Sequence, residues 1–124
     1  MRALEPVASP EEVAELQEVR KKITVSVPVR EYITSLVRAT RVSSALRLGA
    51  SPRGSLALMR AGQALAGLRG RDFVLPDDVK CLAVPVLAHR LILREEERLR
   101  GETPERVLEE LLRQVPIPAP LAGC

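Results

Sequence analysis

Apolar residues recur along this chain mostly at helical spacing and only briefly at strand spacing. Ser9-Pro10-Glu11-Glu12 reads as a capping box, with Ser9 as the N-cap and Glu12 reaching back from three residues later. Val13, Leu16 and Val19 follow one helical face, which predicts a first helix ending near Lys22. Ile23 to Val27 alternates apolar and polar and then meets Pro28, the pattern of a short extended connector. Val29, Ile33, Leu36, Val37 and Thr40 fall on one face of a second helix that should end near Arg41 or Val42. Ser43 to Ala50 reads as a loop closed by Gly49.

The next segment, Pro52 to Arg69, is apolar around most of its circumference and rich in small residues such as Ala57, Ala61, Gly62 and Gly67. A helix of that kind is expected at the centre, packed closely by its neighbours. Gly70 should cap its C-terminus. Pro76-Asp77-Asp78 opens another helix, with the two carboxylates facing different directions as partners of the helix dipole, and Pro85 should end or kink it. Phe73-Val74-Leu75 is long enough only for a two-stranded patch, and Leu91-Ile92-Leu93 is its expected partner. Thr103-Pro104-Glu105 starts a last helix through Leu112, stopped by Pro116, Pro118 and Pro120. The fold class expected is all-α, a compact bundle of four to five helices with at most one very short strand pair.

The chain has 124 residues and a mass of 13.6 kDa, enough for one core but not for a two-domain enzyme. Aromatic residues make up only 2%, so Leu, Ala and Val must build the core, and the stacking platforms used on single-stranded nucleic acid are missing. The net charge of +3 comes from 19 basic residues interleaved with 16 acidic ones, which permits contact with phosphate without requiring a nucleic acid. Cys81 and Cys124 are placed to make neither a disulfide framework nor a metal site, and His89 is the single histidine. The opening residues lack the apolar centre of a signal peptide, and no run approaches the ~18 apolar residues of a membrane span. A cytoplasmic protein is the expectation.

Complete catalytic sets are absent. None of the glycines is followed by Lys-Ser or Lys-Thr at P-loop spacing, and His89 beside Arg90 reads as a structural hydrogen-bonding residue rather than a catalytic one. Arg94 to Arg100 is a charge run that reads as a solvated helix face. One position breaks a local rule. In Gly49-Ala50-Ser51-Pro52-Arg53, Ser51 suits the N-cap and Pro52 the first helical position, which puts Arg53 in the first turn, where the helix dipole repels a cation. Either Arg53 tolerates an exposed place at small cost, or a bound anion reverses the sign of that cost, because free N–H groups and an arginine together suit a phosphate.

Six stretches, in order, carry a family resemblance: Tyr32-Ile33, Leu36 to Arg41 (Leu-Val-Arg-Ala-Thr-Arg), Gly49 to Arg53 (Gly-Ala-Ser-Pro-Arg), Gly70 to Val74 (Gly-Arg-Asp-Phe-Val), Pro76 to Val79 (Pro-Asp-Asp-Val) and Val86 to Leu91 (Val-Leu-Ala-His-Arg-Leu). In this order and spacing the chain resembles the C-terminal helical lid of MoxR-type AAA+ ATPases, from about Pro6 to Pro118, with 1–5 a start or linker segment and 119–124 a tail.

The resemblance implies that Arg53 is the second sensor, reading the γ-phosphate of ATP, with Ser51 and Pro52 shaping the helix terminus around it. It implies ATP and Mg2+ in the full-length parent, neither held tightly by this chain, and no catalysis by the chain in isolation. Walker A, Walker B, the first sensor and the arginine finger would belong to an α/β subdomain outside this sequence. The implied partners are that α/β subdomain, neighbouring subunits of a homo-oligomeric ring, a hexamer, and proteins with von Willebrand factor A domains. The implied activity is chaperone-like remodelling, with no nucleic-acid or membrane partner. Arg41, Arg71, His89 and Arg90 recur in the family pattern and read as lid structure or subunit contacts. Two other readings stand beside this one: a basic helical DNA-binding module, and a free-standing protein-interaction adaptor.

Overall fold

The computed structural model describes residues 9–118. The expected segment 1–5 and tail 119–124, with Pro120 and Cys124, lie outside the described residues. Six α-helices and one two-stranded antiparallel ladder follow in the order α1 (Pro10–Lys21), α2 (Val27–Val42), β1 (Leu46–Leu48), α3 (Pro52–Leu68), α4 (Pro76–Leu87), β2 (Ile92–Leu93), α5 (Glu95–Leu99) and α6 (Pro104–Gln114). The all-α expectation holds. α5 is a single short turn made by the charge run, so the helices of substantial length number five.

Helix starts are set by one recurring device. Proline occupies the first or second position of α1, α2, α3, α4 and α6, where its fixed φ suits a helix and its missing N–H costs nothing. A hydroxyl caps three of these starts: Ser9, Ser26 and Thr103 each accept a bond from the N–H three residues on. α2 therefore begins at Val27 rather than Val29, because Ser26 ends the extended connector and Pro28 already lies inside the helix. Gly70 closes α3 at φ +76°, a conformation that favours glycine, as expected. Pro85 does not stop α4 at once. The helix runs on to Leu87 and tightens into a 3-10 turn over Ala88–Arg90.

α3 and α4 share the most extensive interface, and α2 and α6 close the core around them. Leu36, Leu58, Leu87 and Leu108 are wholly buried at its centre. The small residues of α3 allow this approach: a Cβ on Gly62 would lie 3.2 Å from Val74, and one on Gly67 would come within 2.9 Å of Ile23. α1 behaves differently. Its spacing makes the helix, yet Val13, Leu16 and Val19 stay exposed and no residue of α1 is buried.

Two expectations need correction. β2 pairs with β1, Leu46 opposite Leu93 and Leu48 opposite Ile92, and not with Phe73-Val74-Leu75. Phe73 instead bridges Thr24, whose N–H donates to Asp72 and whose carbonyl accepts from Val74. Asp77 and Asp78 are more than dipole partners, because both are buried. Asp78 accepts two bonds from Arg71 at 2.6 and 2.7 Å, one from Arg69 at 3.3 Å, and the Leu75 N–H at 2.8 Å.

Candidate functional site

The turn that precedes α3 is held against the end of α2. Gly49 makes the closest approach, since a Cβ there would lie 2.6 Å from the Thr40 carbonyl carbon and oxygen and 2.7 Å from Arg41 Cα. No side chain fits in that gap. The next residue, Ala50, is then fixed at both of its backbone polar atoms. The Ala50 N–H donates to Thr40 Oγ1 at 2.9 Å, and Arg41 Nε donates to the Ala50 carbonyl at 2.9 Å. Thr40 gives its own hydroxyl proton to the Val37 carbonyl at 2.6 Å, so its oxygen is free to accept from Ala50. On the far side, Gly54 backs onto Ala50 and Leu87 at 3.2 Å and onto Arg90 at 3.7 Å, measured from the position a Cβ would take.

Pro52 and Arg53 stand exposed at the start of α3. Unlike Ser9, Ser26 and Thr103, Ser51 makes no side-chain capping bond. The first turn closes only through Gly54 N–H to the Ser51 carbonyl at 2.8 Å, with a weaker bond from Ser55 at 3.4 Å. Neither the Arg53 backbone N–H nor its guanidinium has a partner among the described residues. An uncapped helix start and an unpaired guanidinium thus share one exposed corner, an arrangement that can receive an anion.

The surrounding charge sharpens the picture. No carboxylate side chain occurs between Glu31 and Asp72, while Arg38, Arg41, Arg47, Arg53, Arg60, Arg69 and Arg71 all fall in that interval. The even interleaving expected from whole-chain totals is therefore wrong where it matters. Arg71 is satisfied by Asp78, and Arg69 reaches it more loosely. Arg90 Nε donates to the Val86 carbonyl at 3.2 Å, and Arg41 Nε to the Ala50 carbonyl, so both side chains bond within the fold. His89 is exposed and lacks the expected hydrogen bond among the described residues. A cavity of about 710 Å³ lies between the end of α2 and α6, lined by Val42, Ser44, Arg106 and Glu110, with no part of the turn in its wall. Among the described residues no group of His, Cys, Asp or Glu could hold a metal ion, and no helix is long and apolar enough to cross a membrane.

Residues 38–111, which include the pinned turn and the central helix, match the AAA lid domain family. This chain belongs to that family, and its relatives are of the MoxR type. It is 40% identical to the uncharacterized protein YeaC of Bacillus subtilis over 93% of its own length and 36% of YeaC. It is 35% identical to the chaperone MoxR1 of Mycobacterium tuberculosis over 90% of its length and 32% of that protein. A solved structure of a candidate ATPase from Cytophaga hutchinsonii superposes with a TM-score of 0.83 at 35% identity, covering 86% of this chain and 35% of that one. The chain thus spans about a third of the length of these relatives.

Proposed function

We propose that this chain is the lid of a MoxR-type AAA+ ATPase, closing over ATP held by an α/β subdomain, with Arg53 as the second sensor. The observation that carries this reading is the unpaired Arg53 beside the uncapped N-terminus of α3, in an acid-free stretch of sequence. As phosphoryl transfer proceeds, charge spreads over the γ-phosphate oxygens, and an aligned guanidinium stabilises it without reorganising. Ser51 makes no capping bond and Pro52 carries no N–H, so in the first turn it is the Arg53 N–H that stays open toward the same ligand, while Gly54 and Ser55 donate to the Ser51 carbonyl. The corner offers donors and positive charge, with no carboxylate in the turn. It suits phosphate and does not suit Mg2+, whose ligands fall to the α/β subdomain. The lid then reports nucleotide state to neighbouring subunits of a ring and, through them, to client proteins such as those with von Willebrand factor A domains.

The test is Arg53→Ala in the full-length ATPase. Hydrolysis should fall by roughly 10²–10³, the loss typical of removing one aligned donor from a reacting charge. In the 124-residue chain the same change should leave stability unaltered or raise it slightly, by about 0.3–1 kcal/mol, because a repulsion with the helix dipole disappears. Unchanged hydrolysis, or a clearly destabilised lid, makes Arg53 a structural residue.

A further inference from the structure

We propose that Thr40 and Arg41, at the end of α2, are positioning residues for Arg53: together they hold both backbone polar atoms of Ala50 and so set where α3 begins and where its arginine points. This rests on the phosphate-sensing reading of Arg53. Adjacent side chains take the two backbone polar atoms of one buried residue, Ala50, Thr40 Oγ1 accepting from its N–H and Arg41 Nε donating to its carbonyl, each at 2.9 Å. The Thr40 hydroxyl cannot turn away without breaking its 2.6 Å bond to Val37. Between the held Ala50 carbonyl and Arg53 only Ser51 has two soft torsions, because Pro52 fixes its own φ. Gly49 lets the turn lie directly on the α2 backbone, and Gly54 lets it lie on Leu87, so it is confined from both sides.

A purely local account of Arg41 would make it a cation favoured by the α2 dipole, with water solvating its side chain. That account does not explain a bond to a carbonyl nine residues on, nor a fully buried threonine that gives its proton to Val37 within α2 and turns its oxygen to accept from Ala50. The two residues also link the orientation of α2 to that of Arg53. A tilt of α2 against α3 moves the Ala50 peptide, and the sensing arginine moves with it.

Steady-state hydrolysis by the full-length ATPase separates this role from general scaffolding. Arg41→Gln and Thr40→Val should each lower kcat by roughly 10- to 100-fold, the loss typical when an outer partner that orients a functional group is removed. KM for ATP should move far less. Thr40→Ser, which keeps the hydroxyl, should restore most of kcat. The combination Arg41→Gln with Arg53→Ala should be no slower than Arg53→Ala alone, because Arg41 acts through Arg53. In the 124-residue chain, without nucleotide, Thr40→Val should speed hydrogen exchange at the Ala50 amide, and both single variants should shift the Arg53 amide resonance. If the two losses multiply, or the Arg53 resonance stays in place, the proposal is overturned. The Arg53→Ala result decides the phosphate-sensing reading separately, since the amide measurements do not depend on it.

Discussion

Asp78→Ala removes an acceptor on which four hydrogen bonds converge, and the structure lets its cost be worked out. Arg71 donates twice, at 2.6 and 2.7 Å, from a side chain 20% exposed to a carboxylate that is 0% exposed. The Leu75 N–H, which would otherwise be an orphan donor at the start of α4, donates at 2.8 Å. Arg69 is 43% exposed, and its longer bond is counted as nothing because solvent screens it. Breaking a buried pair by removing one partner costs about 3–5 kcal/mol. Arg71 retains some access to water, which argues for the lower end, about 3 kcal/mol including the lost Leu75 bond. For a domain of this size that is a fall in Tm of about 10 °C.

The pH dependence gives a second readout. Burial pushes the Asp78 carboxyl upward, but the hydrogen bonds from Arg71 and Leu75 and the charges of Arg71 and Arg69 outweigh it and hold the group below its ordinary value. A carboxyl lowered in the folded state contributes its full stability above the unfolded value of about 3.9 and loses it as pH falls through the folded value. Melts between pH 5 and 7 should therefore show no contribution from this group to the slope, and the loss should begin below about pH 4. Asp78→Asn, which has no charge to lose, should flatten that acid limb. If Asp78→Ala melts within about 1 kcal/mol of the parent, or Asp78→Asn keeps the same acid limb, the ion pair does not hold α3 to α4 as argued.

Caps and core give two further contrasts. Thr103→Ala should cost about 1 kcal/mol in urea unfolding because Thr103 caps α6, whereas Ser51→Ala should cost only a few tenths because Ser51 makes no capping bond; equal losses would contradict the uncapped start of α3. Leu58→Ala, at a fully buried position, should lose about 2–5 kcal/mol, while Leu68→Ala, 86% exposed on the same helix, should stay within about 0.5 kcal/mol; similar values would misplace the core face of α3.

The helices and their starts were legible because prolines, capping hydroxyls and apolar spacing are local signals. The exposed place of Arg53 followed from the same local logic. What escaped reading depended on contacts between distant segments. Leu46-Arg47-Leu48 and Phe73-Val74-Leu75 are equally short, so spacing could not say which of them would meet Leu91-Ile92-Leu93. Asp78 looked like an ordinary first-turn acid until the end of α3 brought Arg69 and Arg71 over it. The hold of Thr40 and Arg41 on Ala50 left no trace at helical or strand spacing, though Gly49 marked a place where two backbones meet. The acid-free interval from Glu31 to Asp72 was visible from the start and was masked by totals taken over the whole chain. Val13, Leu16 and Val19 show the reverse case, a correct helix whose apolar face stays open to solvent.

Five of the six helices open on a proline, and that bears on how force passes through the fold. Helix junctions are usually the pliable points of a bundle, where a few torsions absorb a change of shape. Here each of those junctions has one torsion locked near −65°, and the chain also has less freedom to gain on unfolding. A push on one helix is then poorly absorbed at its ends and passes to the helices packed against it. The starts of these helices are therefore stiffer than the loops that join them, and the fold bends least where its helices begin.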